Sequence, residues 1–309
     1  MFLNTWLGSF EQGLLWGAMV LGVYITFRVL DYADLTIDGS FTLGAAMVAQ
    51  VILLGFHPGL ALLTAIITGA LAGLATGLLH TYLKIAPLLS GILTMIALYS
   101  INLRIMGQAN LSLLRAETIF TWAKINTGLG RFGPLLIGLL IVTGVVAIIY
   151  IFFQTELGMA IRATGNNEQM IRSLGVNTNN MKMIGLATGN ALVALSGGLV
   201  AQYQGFADIG MGIGMIIAGL ASVIIGEALF GGHTLIRALL AAVTGSLIYR
   251  VVITLVLQLG MPPTDLKLLT ALIVIIAMAL PIMRQRMGLR SLRLRSERCA
   301  QTNESSKGF

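Results

Sequence analysis

Pro134-Leu-Leu-Ile-Gly-Leu-Leu-Ile-Val-Thr-Gly-Val-Val-Ala-Ile-Ile-Tyr-Ile-Phe-Phe153 runs for 20 residues without a charge. At about 1.5 Å of rise per residue, a helix of that length crosses about 30 Å of hydrocarbon. Similar stretches recur on both sides of it. Apolar residues make up 57% of the 309-residue chain and charged residues 10%, against about 25% charged in an ordinary soluble domain. The 19 Lys/Arg and 12 Asp/Glu are too few to cover a soluble surface, and seven Lys/Arg and two Glu of them lie after residue 283. The fold class is therefore all-α: a polytopic helical membrane protein.

Polar breaks divide the chain into about nine expected spans, near 12–30, 39–56, 59–82, 86–106, 134–153, 183–203, 213–229, 236–258 and 266–283. They form one transmembrane domain over 1–283, followed by a basic, disordered cytoplasmic tail over 284–309. Two long polar loops remain, 107–133 and 154–182. The loops tie on positive charge: Arg115, Lys124 and Arg131 in one, Arg162, Arg172 and Lys182 in the other. Arg284, Arg286, Arg290, Arg293, Arg295 and Arg298 break the tie and place the tail inside. Counting back through nine spans puts 154–182 inside and the N-terminus outside. The net charge of +7 is thereby a membrane-side signal rather than a nucleic-acid one.

The N-terminus has no basic head and its first charge is Glu11, so the first span is expected to remain in the mature chain. Cys299 has no second thiol to pair with, and His57, His80 and His233 have no ligand spacing, so no metal site is expected. Asp31-Tyr-Ala-Asp-Leu-Thr-Ile-Asp-Gly-Ser-Phe-Thr-Leu-Gly-Ala45 carries Asp31, Asp34 and Asp38, too acidic for a plain lipid-facing helix. Broken or re-entrant backbone buried in protein tolerates such residues better. Glycines at four-residue spacing (Gly13 and Gly17; Gly69, Gly73 and Gly77; Gly210 and Gly214) are expected to let helices pack closely.

The inside loop is built differently. Gln154-Thr-Glu-Leu-Gly-Met-Ala-Ile-Arg-Ala-Thr-Gly-Asn-Asn-Glu-Gln-Met-Ile-Arg-Ser-Leu-Gly-Val-Asn-Thr178 reads as two short helices. Asn166 is the expected cap of the second, with Gln169 as the return half of a capping box and Gly175 as a left-handed terminator. Met170, Ile171 and Leu174 share one side, making the helix amphipathic. Such a helix lies on a membrane surface, on its own protein or in a partner's groove.

Thr155-Glu-Leu-Gly-Met-Ala-Ile-Arg-Ala-Thr-Gly-Asn-Asn167 with Ile171-Arg-Ser-Leu-Gly-Val-Asn-Thr-Asn-Asn-Met-Lys182 resembles the cytoplasmic loop of permease subunits in ATP-binding-cassette importers of the ribose and branched-chain amino acid type. Asp34-Leu-Thr-Ile-Asp-Gly-Ser40 with Leu43-Gly-Ala-Ala46, and Gly219-Leu-Ala-Ser-Val-Ile-Ile-Gly-Glu-Ala-Leu-Phe-Gly-Gly-His233, resemble two further segments of that family. The resemblance extends in order over about residues 12–283, and Glu227 departs from it where the family usually has a small residue. It implies a second permease copy (a homodimer), two cytoplasmic ATPases, an extracytoplasmic solute-binding protein and a bacterial inner-membrane location. It also implies that the 156–175 segment is the coupling helix, with Glu156, Arg162, Asn166, Gln169, Met170, Ile171, Leu174 and Gly175 as its coupling residues. The chain has no Gly-x-x-x-x-Gly-Lys-Ser/Thr loop, so it binds no cofactor of its own and ATP/Mg belongs to a partner. It is expected to be a transport subunit and no enzyme.

Ionisable groups inside spans cost a few kcal/mol and are functional candidates by default. Asp34, Asp38, Asn190, Asp208 and Arg250 are the candidates for pathway or gate. Arg250 lies about 21 Å into its span, where Asp208 or Asp265 suits it; Arg237 suits Glu227. Ser196 has no base at matching depth, which argues against intramembrane hydrolysis. Few fixed charges favour a small neutral or zwitterionic solute, an amino acid foremost. The alternative is a secondary transporter driven by an ion gradient, which would want mid-membrane carboxylates. A non-transporting scaffold or receptor would have no use for the capped amphipathic helix.

Overall fold

A computed structural model describes residues 2–114, 116–126, 132–231 and 234–258, with isolated positions at 268, 270–272, 275 and 279. The expected span 266–283, the tail 284–309 with Cys299, and Arg115, Arg131, His233 and Asp265 fall largely or wholly outside the described residues, as does the side chain of Lys124.

Helix α1 (Phe2–Val23) widens into a π-helical turn, Tyr24–Val29. It is followed by α2 (Thr36–Leu53), α3 (Pro58–Thr81), α4 (Pro87–Met106), the short strand β1 (Asn110–Ser112), α5 (Ile119–Asn126) and α6 (Gly133–Gln154). Then come α7 (Glu156–Asn166), α8 (Glu168–Ser173), α9 (Thr178–Gln204), β2 (Phe206–Asp208), α10 (Met215–Phe230) and α11 (Leu235–Gln258). Seven of these helices are long and apolar enough to cross a membrane. Proline sets the first turn of α3, α4 and α6, where its missing N–H has no helical partner to lose.

The acidic stretch after α1 is broken only briefly. The chain leaves helical order after Val29, Asp31 takes a φ of 53°, and α2 resumes at Thr36. The rest of the expected irregular segment is helix. The expected span 213–229 is α10, 16 residues long. At about 1.5 Å per residue it spans about 24 Å, short of the hydrocarbon thickness. The turn before it, Ile209 to Gly214, follows the antiparallel pairing of β2 with β1, where Asn110 faces Asp208.

Helix α9 is the centre of the bundle. Its buried residues run from Met181 to Gln202 on nearly every side, and α1, α2 and α3 surround it. In lipid the flanking tails are as apolar as leucine, so close backbone approach and hydrogen bonds do the work that water expulsion does elsewhere. The α3 stripe behaves as expected: Gly69 faces Asn190, Gly73 faces Leu186 and Gly77 faces Met183, all on α9. Gly44 of α2 lies against the Ala194 carbonyl and Gly197 of α9 against the Phe41 carbonyl, leaving no room for a methyl at either. Gly13 packs closely on Leu247 of α11, and Gly17 meets Val243 and Ser246 of the same helix at ordinary contact distance. The Gly210 and Gly214 pair is different from expectation. Both sit in the turn before α10, so their spacing serves no helix packing.

Candidate functional site

The polar residues that stand out in the spans collect at separate places. Asp34, in the break before α2, is fully buried. Its Oδ1 accepts the Thr36 backbone N–H at 2.9 Å and its Oδ2 accepts Asn190 Nδ2 at 2.6 Å. Asn190 also donates to the Leu186 carbonyl at 3.0 Å and accepts from Ser40 Oγ at 2.7 Å. Beside them the Thr36 and Thr76 hydroxyls share a hydrogen bond at 2.6 Å. Buried polar groups are tolerated when each has its partner. This cluster satisfies that condition and locks α2, α3 and α9 at one level.

Asp38, one turn further along α2, does something else. Its two carboxylate oxygens accept the backbone N–H groups of Gly214 and Ile216, each at 2.9 Å. A helix N-terminus presents unpaired N–H groups and a partial positive charge. Asp38 therefore caps the short helix α10 from across the bundle, 176 residues away in sequence.

Asp208 and Arg250 do not pair. Asp208 accepts Asn110 Nδ2 at 3.3 Å and its own neighbour's Gly210 N–H at 2.8 Å. The Arg250 guanidinium stands 4.5 Å from the centre of the Trp16 ring, a cation–π contact that suits a cation with little water. Nearby, Tyr203 donates to Glu11 Oε2 at 2.6 Å, and Ser9 Oγ donates to Thr254 Oγ1 at 2.8 Å. Glu227 also finds a partner other than the expected Arg237: Arg28 Nε reaches Glu227 Oε1 at 2.9 Å. Sequence spacing placed Glu227 and Arg237 in adjacent spans, but the π-helical turn at the end of α1 carries Arg28 to the end of α10. The Arg28–Glu227 pair opens onto a cavity of about 1020 Å³ that Tyr24, Asp31, Arg162 and Asn166 also line.

The loop between α6 and α9 forms the two expected short helices, with corrections in detail. Thr155 caps α7 by accepting the Gly158 N–H at 3.3 Å, and Glu156 follows, exposed, in the first turn. The cap of α8 is Asn167, whose Oδ1 accepts the Met170 N–H at 3.0 Å; Asn166 is instead the last residue of α7. With Asn167 as the cap, the return position of a capping box falls on Met170 and leaves Gln169 out of register, and the Asn167 N–H donates to Ala163 O at 3.0 Å, closing α7. Two helices abutting at one residue use up the donor that a capping box would need. Gly175 takes a φ of 84°, the left-handed terminator expected of it.

The apolar side of α8 splits. Ile171 is 7% exposed and packs inward, whereas Met170 is 56% and Leu174 67% exposed. With about 100° between successive residues, Met170 and Leu174, four apart, share a face that Ile171 leaves. Glu168 anchors the other side. It pairs with Lys182 at 2.7 Å and Arg172 at 2.9 Å, and Thr178 donates to it at 3.1 Å. Burial alone would raise the Glu168 carboxyl, but the Lys182 hydrogen bond and charge, with Thr178 and Arg172, outweigh it and hold it below its ordinary value. Only the Glu168/Arg172 spacing of four signals this hub in the sequence. Asn102, which also escaped notice there, is fully buried on α4 and donates from Nδ2 to Gly39 O at 3.2 Å.

Comparison with known proteins gives these features a family. The family model described as "Branched-chain amino acid transport system / permease component" matches residues 6–279. The tyrosine transport system permease protein of Clostridioides difficile (strain R20291) is 45% identical over 268 residues, covering 87% of this chain and 88% of that one. An uncharacterized protein of Rickettsia prowazekii is 34% identical over 90% of this chain and 98% of its own length. The galactofuranose transporter permease protein of Escherichia coli (strain K12) is 29% identical over 78% of this chain and 69% of its own. Among solved structures, "PsaBC from Streptococcus pneumoniae in complex with Fab" matches with a TM-score of 0.51 at 15% identity, covering 89% of this chain and 90% of that one; the likeness is one of fold. The named relatives are transport subunits and not enzymes. A bundle of apolar helices carrying a capped two-helix loop, matched from residue 6 to 279, belongs to the branched-chain amino acid transport system / permease component family, the membrane subunits of ATP-binding-cassette transport systems.

Proposed function

We propose that this chain forms, with a second copy of itself, the translocation pathway of a bacterial inner-membrane importer for a small solute, an amino acid foremost. The family implies an ATPase and a solute-binding protein as partners. In this reading the chain binds no cofactor; ATP and Mg²⁺ sit on the ATPase. The N-terminus lies outside, and the loop carrying α7 and α8 lies in the cytoplasm with the C-terminus. The tyrosine permease relative supports an amino acid as solute.

The observation that carries the coupling role is the split face of α8. Met170 and Leu174 point away from the body on a helix that Glu168, Arg172 and Lys182 tie down from behind. A free apolar pair on a rigid helix fits a groove in a soluble partner. Nucleotide-driven closure of the ATPases would then push α7, and through it Gly165 against Val29 and Leu30 at the end of α1. That contact lies beside the Arg28–Glu227 pair, which would act as the inner gate.

Pull-down of the permease from detergent with its ATPase tests this. The native chain is expected to retain the ATPase, and a Met170→Asp, Leu174→Asp chain to lose it while eluting as a folded protein. Retention by the double variant overturns the assignment. An ion-driven carrier, the alternative reading, would move solute on an ion gradient without ATP.

A further inference from the structure

A second cavity, about 490 Å³, lies between α2, α4 and the turn that leads into α10. Its walls are largely apolar: Met95, Ile96 and Ile213, with the Tyr99 ring at one side. Its polar lining includes Asp38, Thr42, Ser100 and Asn102. Small-molecule sites have this make-up, with volumes of about 300–1000 Å³ and a few placed polar groups among apolar ones.

Asn102 gives the site its chemistry. The side chain is 0% exposed, its Nδ2 is occupied by Gly39 O, and its Oδ1 has no donor among the described residues. A buried acceptor without a donor costs about 1–3 kcal/mol, so a native group in that state calls for an explanation. The bond to a carbonyl oxygen fixes the amide orientation, leaving Oδ1 as the free atom. Asp38 adds a carboxylate whose two bonds go to backbone N–H groups of α10, and no cationic side chain among the described residues neutralises it. No cationic residue lines the cavity among the described residues. The missing component is a cationic donor attached to an apolar body.

We infer that this cavity is a transient solute site on the pathway, taking the ammonium group of an apolar or aromatic amino acid at Asn102 Oδ1 and Asp38, with the side chain against Tyr99 and the solute carboxylate toward the open mouth. The inference deepens the amino acid reading above and rests on it. Attachment of the site to the start of α10 ties solute occupancy to the helix whose other end bears Glu227.

The test uses permease with its ATPase in nanodiscs, in a Cys299→Ser background with Ser100→Cys on the cavity wall. A hydrophilic thiol reagent reads accessibility, and Met159→Cys in the other cavity serves as the control. Millimolar phenylalanine is expected to slow Ser100→Cys labelling at least threefold and leave Met159→Cys unchanged. N-acetylphenylalanine, which lacks the ammonium, is expected to give no protection. Asn102→Leu should abolish protection, and Asn102→Asp should keep it. Equal protection by ribose, equal protection by the acetylated compound, or no labelling of Ser100→Cys overturns the proposal. ATP-driven tyrosine uptake into proteoliposomes that hold the same complex together with its binding protein separates the two levels. Uptake without phenylalanine protection removes the site and leaves the importer. Protection without uptake keeps the site and removes the importer.

Discussion

Asp34 and Asn190 stand 156 residues apart in the chain and 2.6 Å apart in the fold. Each was visible in the sequence as a polar residue inside or beside an apolar run, because such residues are rare there. Their pairing was not visible, since nothing local selects one distant amide over another. Asn190→Leu keeps the volume and leaves an Asp34 oxygen and the Ser40 hydroxyl short of a partner. We expect a loss of roughly 1–3 kcal/mol for each group left unpaired, read as a lower unfolding temperature in detergent. Thr68→Ala on α3, whose hydroxyl bonds only within its own helix, should stay near native. Arg250 illustrates the opposite error. Counting residues placed it at a depth where Asp208 or Asp265 suited it; Asp208 bonds elsewhere and Asp265 lies outside the described residues, while an aromatic ring can hold a cation too, and Trp16 carries no charge to count.

Among the elements, α8 was legible in outline and wrong in phase. The cap and terminator pattern located it, and the one-residue slip from Asn166 to Asn167 followed from the adjacent α7, whose end consumes the Asn167 N–H. That slip matters for Ile171, which packs inward while Met170 and Leu174 stay out. The anchor of α8 is expected to depend on pH. Glu168 is held below its ordinary carboxyl value in the folded protein, so its stabilising effect is complete above the ordinary value of 4.5 and is lost as pH falls through the lower folded value. Hydrogen exchange at the Ile171 amide should stay slow from pH 8 down to 5 and quicken only below the ordinary carboxylate range. Glu168→Gln should exchange faster throughout and lose the acid step; an unchanged profile in that variant would remove Glu168 as anchor. Helix packing gives a sharper prediction. Gly44→Ala would drive a methyl into the Ala194 carbonyl and is expected to cost 1–3 kcal/mol or more. Gly144→Ala on α6 meets nothing within 4 Å and should be neutral or slightly stabilising. Equal folded yields of the two variants would contradict the tight α2–α9 seam.

At the scale of the molecule, composition alone identified a helical membrane protein, because about 30 Å of hydrocarbon imposes its length on every span. Composition did not reveal where α10 begins, since 16 apolar residues look like a slightly short span until their N-terminus is found capped by Asp38. The coupling loop, the Asp38-capped helix and the Arg28–Glu227 pair lie along one line from α8 through α7 to α1 and α10. On the proposed reading, a permease so built is expected to move solute when its partners bind ATP and to stand idle on an ion gradient. The measurement that tests this most directly is tyrosine uptake into proteoliposomes holding this chain with its ATPase and binding protein. Uptake that requires enclosed ATP, persists without any ion gradient and falls at least tenfold with Met170→Asp and Leu174→Asp is the expected result. Uptake driven by a proton or sodium gradient without ATP, and indifferent to the two substitutions, would contradict the account.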